Sequence, residues 1–362
     1  MHPPRWLFLV PILVASIAHA GTPAEAARIR QEFKLRSETW ELQVKSATGP
    51  SAQQALLSKR PDVKEYAVQM WNCLSPSLAE DWTLEPAGWL LRVAPTLLQT
   101  DAKPAMIEAL AKIREAVEKQ HLRSPKLAPV CLGIAATQDP QALSLLQKIE
   151  SENPDESVQG VAALGQAVLL RGLGDDPEVI KKRLTLLRKA IINSASLELD
   201  GVSVAKIAED ELYIILHLTK DRQAPELIGV DVANRPMTLS SYKGKVVVLV
   251  FWGTASTPDL DQFLEISSGL EKKFAGKPFA LVGVSNDNAA TLQELVSSGR
   301  VTWPNFSDPT NRLAEQYRVG SRPLAYVLDR AGKVRYSGTP GSFVELAVDA
   351  IFADSKPAAA GE

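Results

Sequence analysis

The side chains that could carry chemistry are few and unevenly placed. The chain has two cysteines, Cys73 and Cys131, both in its first half and outside any Cys-x-x-Cys spacing. In an exported protein such a pair permits one disulfide, but spacing alone does not bring two Cα atoms within bridging distance. Two separate buried thiols, packing as small hydrophobes on different helices, satisfy the same sequence. After residue 20 the histidines are His121 and His217, far apart and without a carboxylate or thiol cluster at ligand spacing. No metal is therefore expected. No phosphate-binding glycine loop or nucleotide motif occurs, so no cofactor is expected either.

From Arg222 to Glu362 there is neither Cys nor His. The polar run of interest there is Trp252-Gly253-Thr254-Ala255-Ser256-Thr257-Pro258-Asp259, between an apolar stretch and a helical one. Ser256 as a hydrolytic nucleophile would need an activating base, and no histidine is available to it. The same residues suit a helix start. Thr257 can cap, Pro258 fits the first turn, and Asp259 places negative charge at the positive end of the dipole.

Two kinds of element must position these residues. From Ala24 to about Lys220 the apolar residues recur at helical spacing: Met106, Leu110, Ile113 and Val117; Ile180, Leu184, Leu187 and Ile191; Val204, Ala208, Leu212 and Ile215. Polar-Pro pairs mark expected helix starts at Ser75-Pro76, Ser124-Pro125, Asp139-Pro140, Asn153-Pro154 and Asp176-Pro177. Trp71, Trp82 and Trp89 read as core residues, and Lys181-Lys182-Arg183 as the solvated face of a helix. Short turns between helices imply a bundle or an α-solenoid-like stack, without a repeat consensus.

After Asp221–Pro225 the period changes. Leu227–Val232 and Met237–Tyr242 suggest a hairpin around Asn234, and Val246–Phe251 a strand buried on both faces. A helix over Pro258–Phe274, a strand over Phe279–Val284 and a helix over Ala289–Ser298 follow. Strands at Leu324–Leu328 and Val334–Ser337 and a helix over Ser342–Phe352 complete a mixed sheet flanked by helices.

The formal net charge of -2 gives no electrostatic case for nucleic acid. His2 and Arg5 precede an apolar stretch from Trp6 to Ala18, closing on Ala18-His19-Ala20. That is the three-part pattern of a cleaved secretory leader, and its apolar part is shorter than the roughly 20 residues needed to span a bilayer. Export to the periplasm or beyond is expected, with no membrane-spanning segment left after cleavage.

The order of elements and the residues at their corners resemble the thioredoxin-like proteins of the TlpA/ResA type within the redoxin (AhpC/TSA) superfamily. The matching text is Ala224-Pro225-Glu226, Leu239-Ser240, Lys243-Gly244-Lys245, Phe251-Trp252-Gly253-Thr254, Ser285-Asn286-Asp287, Asp308, Tyr317-Arg318-Val319-Gly320, Pro323 and Leu328-Asp329-Arg330-Ala331-Gly332-Lys333. It covers about residues 222–353, and the helical half has no such match. In that family Phe-Trp leads into Cys-x-x-Cys at a helix N-terminus, where unpaired N–H groups and the dipole stabilise the first thiolate. The resemblance puts Ser256 in place of the attacking thiol and Asp259 in place of the resolving one. A hydroxyl does not exchange with disulfides and a carboxylate cannot resolve a mixed disulfide. No residue of this domain is then expected to be catalytic.

Pro323 matches the family's cis-proline, beside which an extended peptide can pair with main chain. The resemblance implies Trp252, Thr254, Thr257, Arg322 and Pro323 as binding candidates, with Arg322 bulky enough to obstruct or grip a ligand. The expected organisation is a leader at 1–20, an all-α domain at 21–220, a linker at 221–225, an α/β thioredoxin-like domain at 226–353 and a disordered tail at 354–362. The expected function is a non-redox module that binds or scaffolds protein or peptide in the cell envelope. The alternative is a thiol–disulfide oxidoreductase or antioxidant redoxin that uses Cys73 and Cys131.

Overall fold

The computed structural model describes residues 21–354 apart from 99, 138 and 140. The leader pattern, the tail beyond 354 and Pro140 lie outside the described residues. Among those described, the first part of the chain forms α1 (Pro23–Ser46), α2 (Pro50–Leu57), α3 (Val63–Leu74), α4 (Leu84–Leu97) and α5 (Lys103–Ala116). It continues with α6 (Ala128–Ala136), α7 (Ala142–Glu152), α8 (Glu156–Arg171), α9 (Pro177–Ser194) and α10 (Val204–His217). Helices pack on near neighbours, α4 on α6, α6 on α8, α8 on α9 and α9 on α10, around one apolar core. Trp71, Trp82 and Trp89 border that core. A two-residue ribbon, β1 (Glu198–Leu199) and β2 (Val202–Ser203), turns the chain into α10.

Of the four expected starts that lie wholly among the described residues, Asp176-Pro177 alone is a true cap, with the Asp176 carboxylate accepting from Glu178 N–H. Asn153 instead braces the turn before α8, and Asp155 is the cap. Ser75-Pro76 opens only a three-residue 3-10 turn, and Ser124-Pro125 lies in the turn before α6. Pro fixes φ for a turn as readily as for a first helical residue, so the pair locates the bend and not the helix.

The inner stripe of α9 also sits one residue round from its apolar pattern. Arg183 is fully buried with Leu186, Leu187 and Ala190, while Leu184 is 38% exposed. The expectation of a solvated Lys181-Lys182-Arg183 face fails at Arg183 because buried Glu211 of α10 pairs with it at 2.9 Å. An ion pair between two helices decides the register, which apolar periodicity does not register.

The second part of the chain is built on β5 (Val246–Trp252). It follows the hairpin β3 (Ile228–Val230) and β4 (Pro236–Thr238), with Asn234 at φ 59° in the turn. The remaining elements are α11 (Leu260–Lys273), β6 (Phe279–Ser285), α12 (Ala289–Ser297), β7 (Asn305–Ser307), α13 (Arg312–Gln316), β8 (Leu324–Leu328), β9 (Val334–Gly338) and α14 (Ser342–Asp354). The sheet order is β7-β6-β5-β8-β9, with β5, β6 and β7 parallel and β8 and β9 antiparallel. Every residue of β5 is buried. Val246, Val248, Val250 and Trp252 pack into the layer with α11, α12 and α14, and Val247, Leu249 and Phe251 into the layer with Leu227, Phe306 and Tyr317. Burial on both faces explains why this strand reads as an unbroken apolar run. The chain is thus multidomain, helical first and then a mixed α/β sheet.

The segment expected as a linker is held to the sheet. Ala224 N–H donates to Gly332 O, Asp221 N–H to Val334 O, and Val334 N–H to Arg222 O. The helical part also grips the α/β part at two points. Asp210 of α10 pairs with Arg318 Nε at 2.5 Å, and the Arg318 guanidinium lies 4.2 Å from the Tyr213 ring centroid. At the other, Gly49 N–H donates to Thr291 Oγ1 at 3.0 Å and Asn288 Nδ2 donates to Ala47 O.

Candidate functional site

Three loops meet beyond the C-terminal end of β5. The first leaves Trp252, whose indole N–H is satisfied inside the core by Asn305 Oδ1 at 2.9 Å. Gly253 follows where a Cβ would sit 1.8 Å from Asn286 Oδ1, so a larger residue here would displace the Asn286 side chain from its present position. Thr254 N–H then donates to Asp287 Oδ1 at 2.9 Å, and its hydroxyl to Asp287 Oδ2 at 3.1 Å. Ser285 Oγ donates to the same carboxylate at 3.0 Å. Asp287 thereby ties the end of β6 to the end of β5. Its burial pushes its carboxyl above the ordinary carboxylate range, opposed by the hydrogen bonds it accepts.

Ser256 is half-buried, with long contacts from its hydroxyl to Gly253 O at 3.3 Å and Asn286 Oδ1 at 3.4 Å. Among the described residues, no titratable base is hydrogen-bonded to it. The helix starts later than the sequence suggests: α11 opens at Leu260, and Asp259 itself is the cap, accepting from Gln262 N–H at 3.0 Å. Thr257 does not cap. It is buried, and its hydroxyl has no hydrogen-bond partner among the described residues. A carboxylate cap satisfies an orphan N–H and complements the dipole together, which places the first turn after Asp259.

The third loop runs from Tyr317 to Pro323 into β8, where Leu324 pairs with Phe251. The Arg322–Pro323 peptide is cis. Arg322 is half-buried, and its Nη2 donates to Asn311 Oδ1 at 2.8 Å. The buried Asp308 carboxylate nearby accepts from Leu313 and Ala314 N–H. Burial lowers the Arg322 pKa, and the Asp308 charge acts to raise it.

Of the expected binding residues, Trp252, Thr254 and Thr257 are thus interior and Trp252 and Thr254 are engaged within the domain. Arg322, Pro323 and Ser256 keep partial access to solvent. The fastening role of Asp287 was not read from the sequence, although Ser285-Asn286-Asp287 stood among the matching residues. Cys73 and Cys131 are free and buried, in α3 and α6. Burial pushes the Cys73 thiol up and the Cys131 thiol up to about 12. Among the described residues no cluster of His, Cys, Asp and Glu could hold a metal ion, and no helix is long and apolar enough to cross a membrane.

Residues 221–337 match the model of the AhpC/TSA family. A chloroplastic peroxiredoxin Q from Oryza sativa subsp. japonica is 28% identical over 126 residues, 33% of this chain and 58% of that protein. The thiol-disulfide oxidoreductase ResA of Bacillus anthracis is 25% identical over 114 residues, 31% of this chain and 65% of that protein. This chain therefore spans less than two thirds of the length of either. A crystal structure described as a putative thiol:disulfide interchange protein DsbE from Chlorobium tepidum aligns over 36% of this chain and 96% of its own, at 22% identity and a TM-score of 0.33. With the strand order and loops above, the α/β part is a thioredoxin-like fold. Over residues 221–337 it carries the AhpC/TSA match, and it is similar to redoxin domains of the TlpA/ResA type.

Proposed function

We propose that this chain is an exported protein whose redoxin domain has given up dithiol chemistry and serves to bind or scaffold protein or peptide in the cell envelope. The observation that carries this reading is the pair Ser256 and Asp259, a loosely bonded hydroxyl and a helix-capping carboxylate where the resemblance calls for two thiols. The loops around them are still fastened, through Asp287 and Gly253, so the architecture is kept without its nucleophile. Export rests on the pattern of residues 1–20.

The names of the relatives favour a second reading, a thiol–disulfide oxidoreductase or antioxidant redoxin working through Cys73 and Cys131. Burial and raised pKa values weigh against it, because the thiolate is the reactive form. Turnover of a fluorescent glutathione disulfide by the mature chain, beside a Cys73→Ala/Cys131→Ala variant, separates the two. The proposal expects neither to exceed the uncatalysed rate. Turnover that disappears in the variant establishes the second reading. The mass of the protein from the envelope fraction tests export: a chain beginning at Gly21 supports it, and an intact chain in the cytoplasm contradicts it.

A further inference from the structure

We infer that Arg322 makes the partly exposed loop at Pro323 selective for acidic peptide segments, its guanidinium taking an Asp or Glu side chain of a partner lying extended along this loop. The inference rests on the binding function proposed above and names what that site would recognise.

Three observations place an under-compensated positive charge here, and a fourth leaves the main chain beside it open. The guanidinium of Arg322 has a neutral amide, Asn311 Oδ1, as its hydrogen-bond partner, and its Nε is buried with no partner among the described residues. Asp308 is the carboxylate acting on it, but the Asp308 oxygens are engaged by Leu313 and Ala314 N–H. Arg312 acts on the same carboxylate and donates to Ile228 O, so two guanidinium groups share one carboxylate. Among the described residues, no main-chain hydrogen bond within the chain engages the N–H or C=O of Arg322. Those groups suit an extended ligand, as an uncovered strand end does.

The chemistry then selects the ligand. A guanidinium offers planar, forked donors that fit a carboxylate and cannot be neutralised near pH 7. With no thiol at Ser256 to form a mixed disulfide, a ligand is held by noncovalent contacts alone. A charge-assisted hydrogen bond in a half-buried site is the strongest single contact this loop can offer.

Selection of a phage-displayed library of random dodecapeptides on the immobilised mature chain tests this without assuming a sequence. The expected pool is enriched at least about twofold in Asp and Glu over the input, and the pool selected on Arg322→Gln is not. For the best peptide, changing its acidic residue to the amide should weaken binding about tenfold, equivalent to about 1.4 kcal/mol. On Arg322→Gln the same change should have no effect, and Arg322→Lys should keep part of the preference. A pool selected above bare surface but not acidic overturns this inference and leaves the binding function standing. Acidic enrichment retained on Arg322→Gln overturns the assignment to Arg322. No selection above bare surface overturns both. Should Arg322→Gln fail to fold, a wild-type pool without acidic enrichment still overturns the inference, and an undiminished acidic preference on Arg322→Ala overturns the assignment to Arg322.

Discussion

Replacing Asp287 by alanine should destabilise the redoxin domain by about 3 kcal/mol, whereas Asp287→Asn should cost less than about 1 kcal/mol. The difference follows from what the carboxylate accepts. Thr254 N–H, the Thr254 hydroxyl and the Ser285 hydroxyl all donate to it, and all three groups are inside the fold. Alanine leaves a buried main-chain N–H unpaired, which costs about 1–3 kcal/mol, and two hydroxyls lose a charged acceptor. Asparagine keeps an acceptor for the N–H, and the hydroxyls can rotate to meet its amide. Burial raises the folded pKa of Asp287, so the protonated form is the one the fold favours. Its contribution is then fully present below the unfolded value near 3.8 and is lost as pH rises through the folded value. Urea unfolding followed by circular dichroism should show wild type gaining on Asp287→Asn as pH falls through that window, while Asp308, common to both, cancels. An alanine variant within about 0.5 kcal/mol of wild type would refute the fastening role. A gap between wild type and Asp287→Asn that stays flat from pH 4 to 8 would refute the pKa reasoning.

Three further outcomes are expected. Arg318→Ala should cost about 1 kcal/mol, a partly exposed ion pair and a ring contact together, and hydrogen exchange should quicken at both Tyr213 and residues 318–323; unchanged exchange contradicts a joint at Arg318. Asp259→Ala should lower stability by about 1 kcal/mol and Asp259→Asn by a few tenths, since asparagine also caps; equal losses in a urea titration would show that charge rather than capping matters. Cys73 and Cys131 should resist alkylation in the native chain at pH 8 and both react on unfolding, as their burial and raised pKa values require; rapid native labelling would reopen the redox reading.

What could be read from the sequence was whatever local chemistry dictates. Val246–Phe251 announced a doubly buried strand because no polar residue interrupts it, and β5 extends it only to Trp252. Asn234 marked the hairpin turn because it accepts positive φ. The short elements escaped. β7, at Asn305–Ser307, and α13, at Arg312–Gln316, carry too few residues for a period to show; pairing with β6 defines the strand, and the Asp308 carboxylate, a few residues upstream, defines the helix start. A cation in a helix is usually solvated, so Arg183 reads as exposed, and its pairing with Glu211, 28 positions on, reverses that. At the site, residue types put Ser256 and Asp259 where the resemblance expects thiols. They did not show that Thr254 and Thr257 face inward, since a hydroxyl does not announce whether Asp287 lies within reach.

The most direct test of the central claim is insulin disulfide reduction with dithiothreitol, comparing the mature chain with a Ser256→Cys/Asp259→Cys variant. The natural chain should match the uncatalysed rate, and the variant should accelerate it, with its start softened by the lost Asp259 cap. Catalysis by the natural chain would contradict the account and turn attention to Cys73 and Cys131.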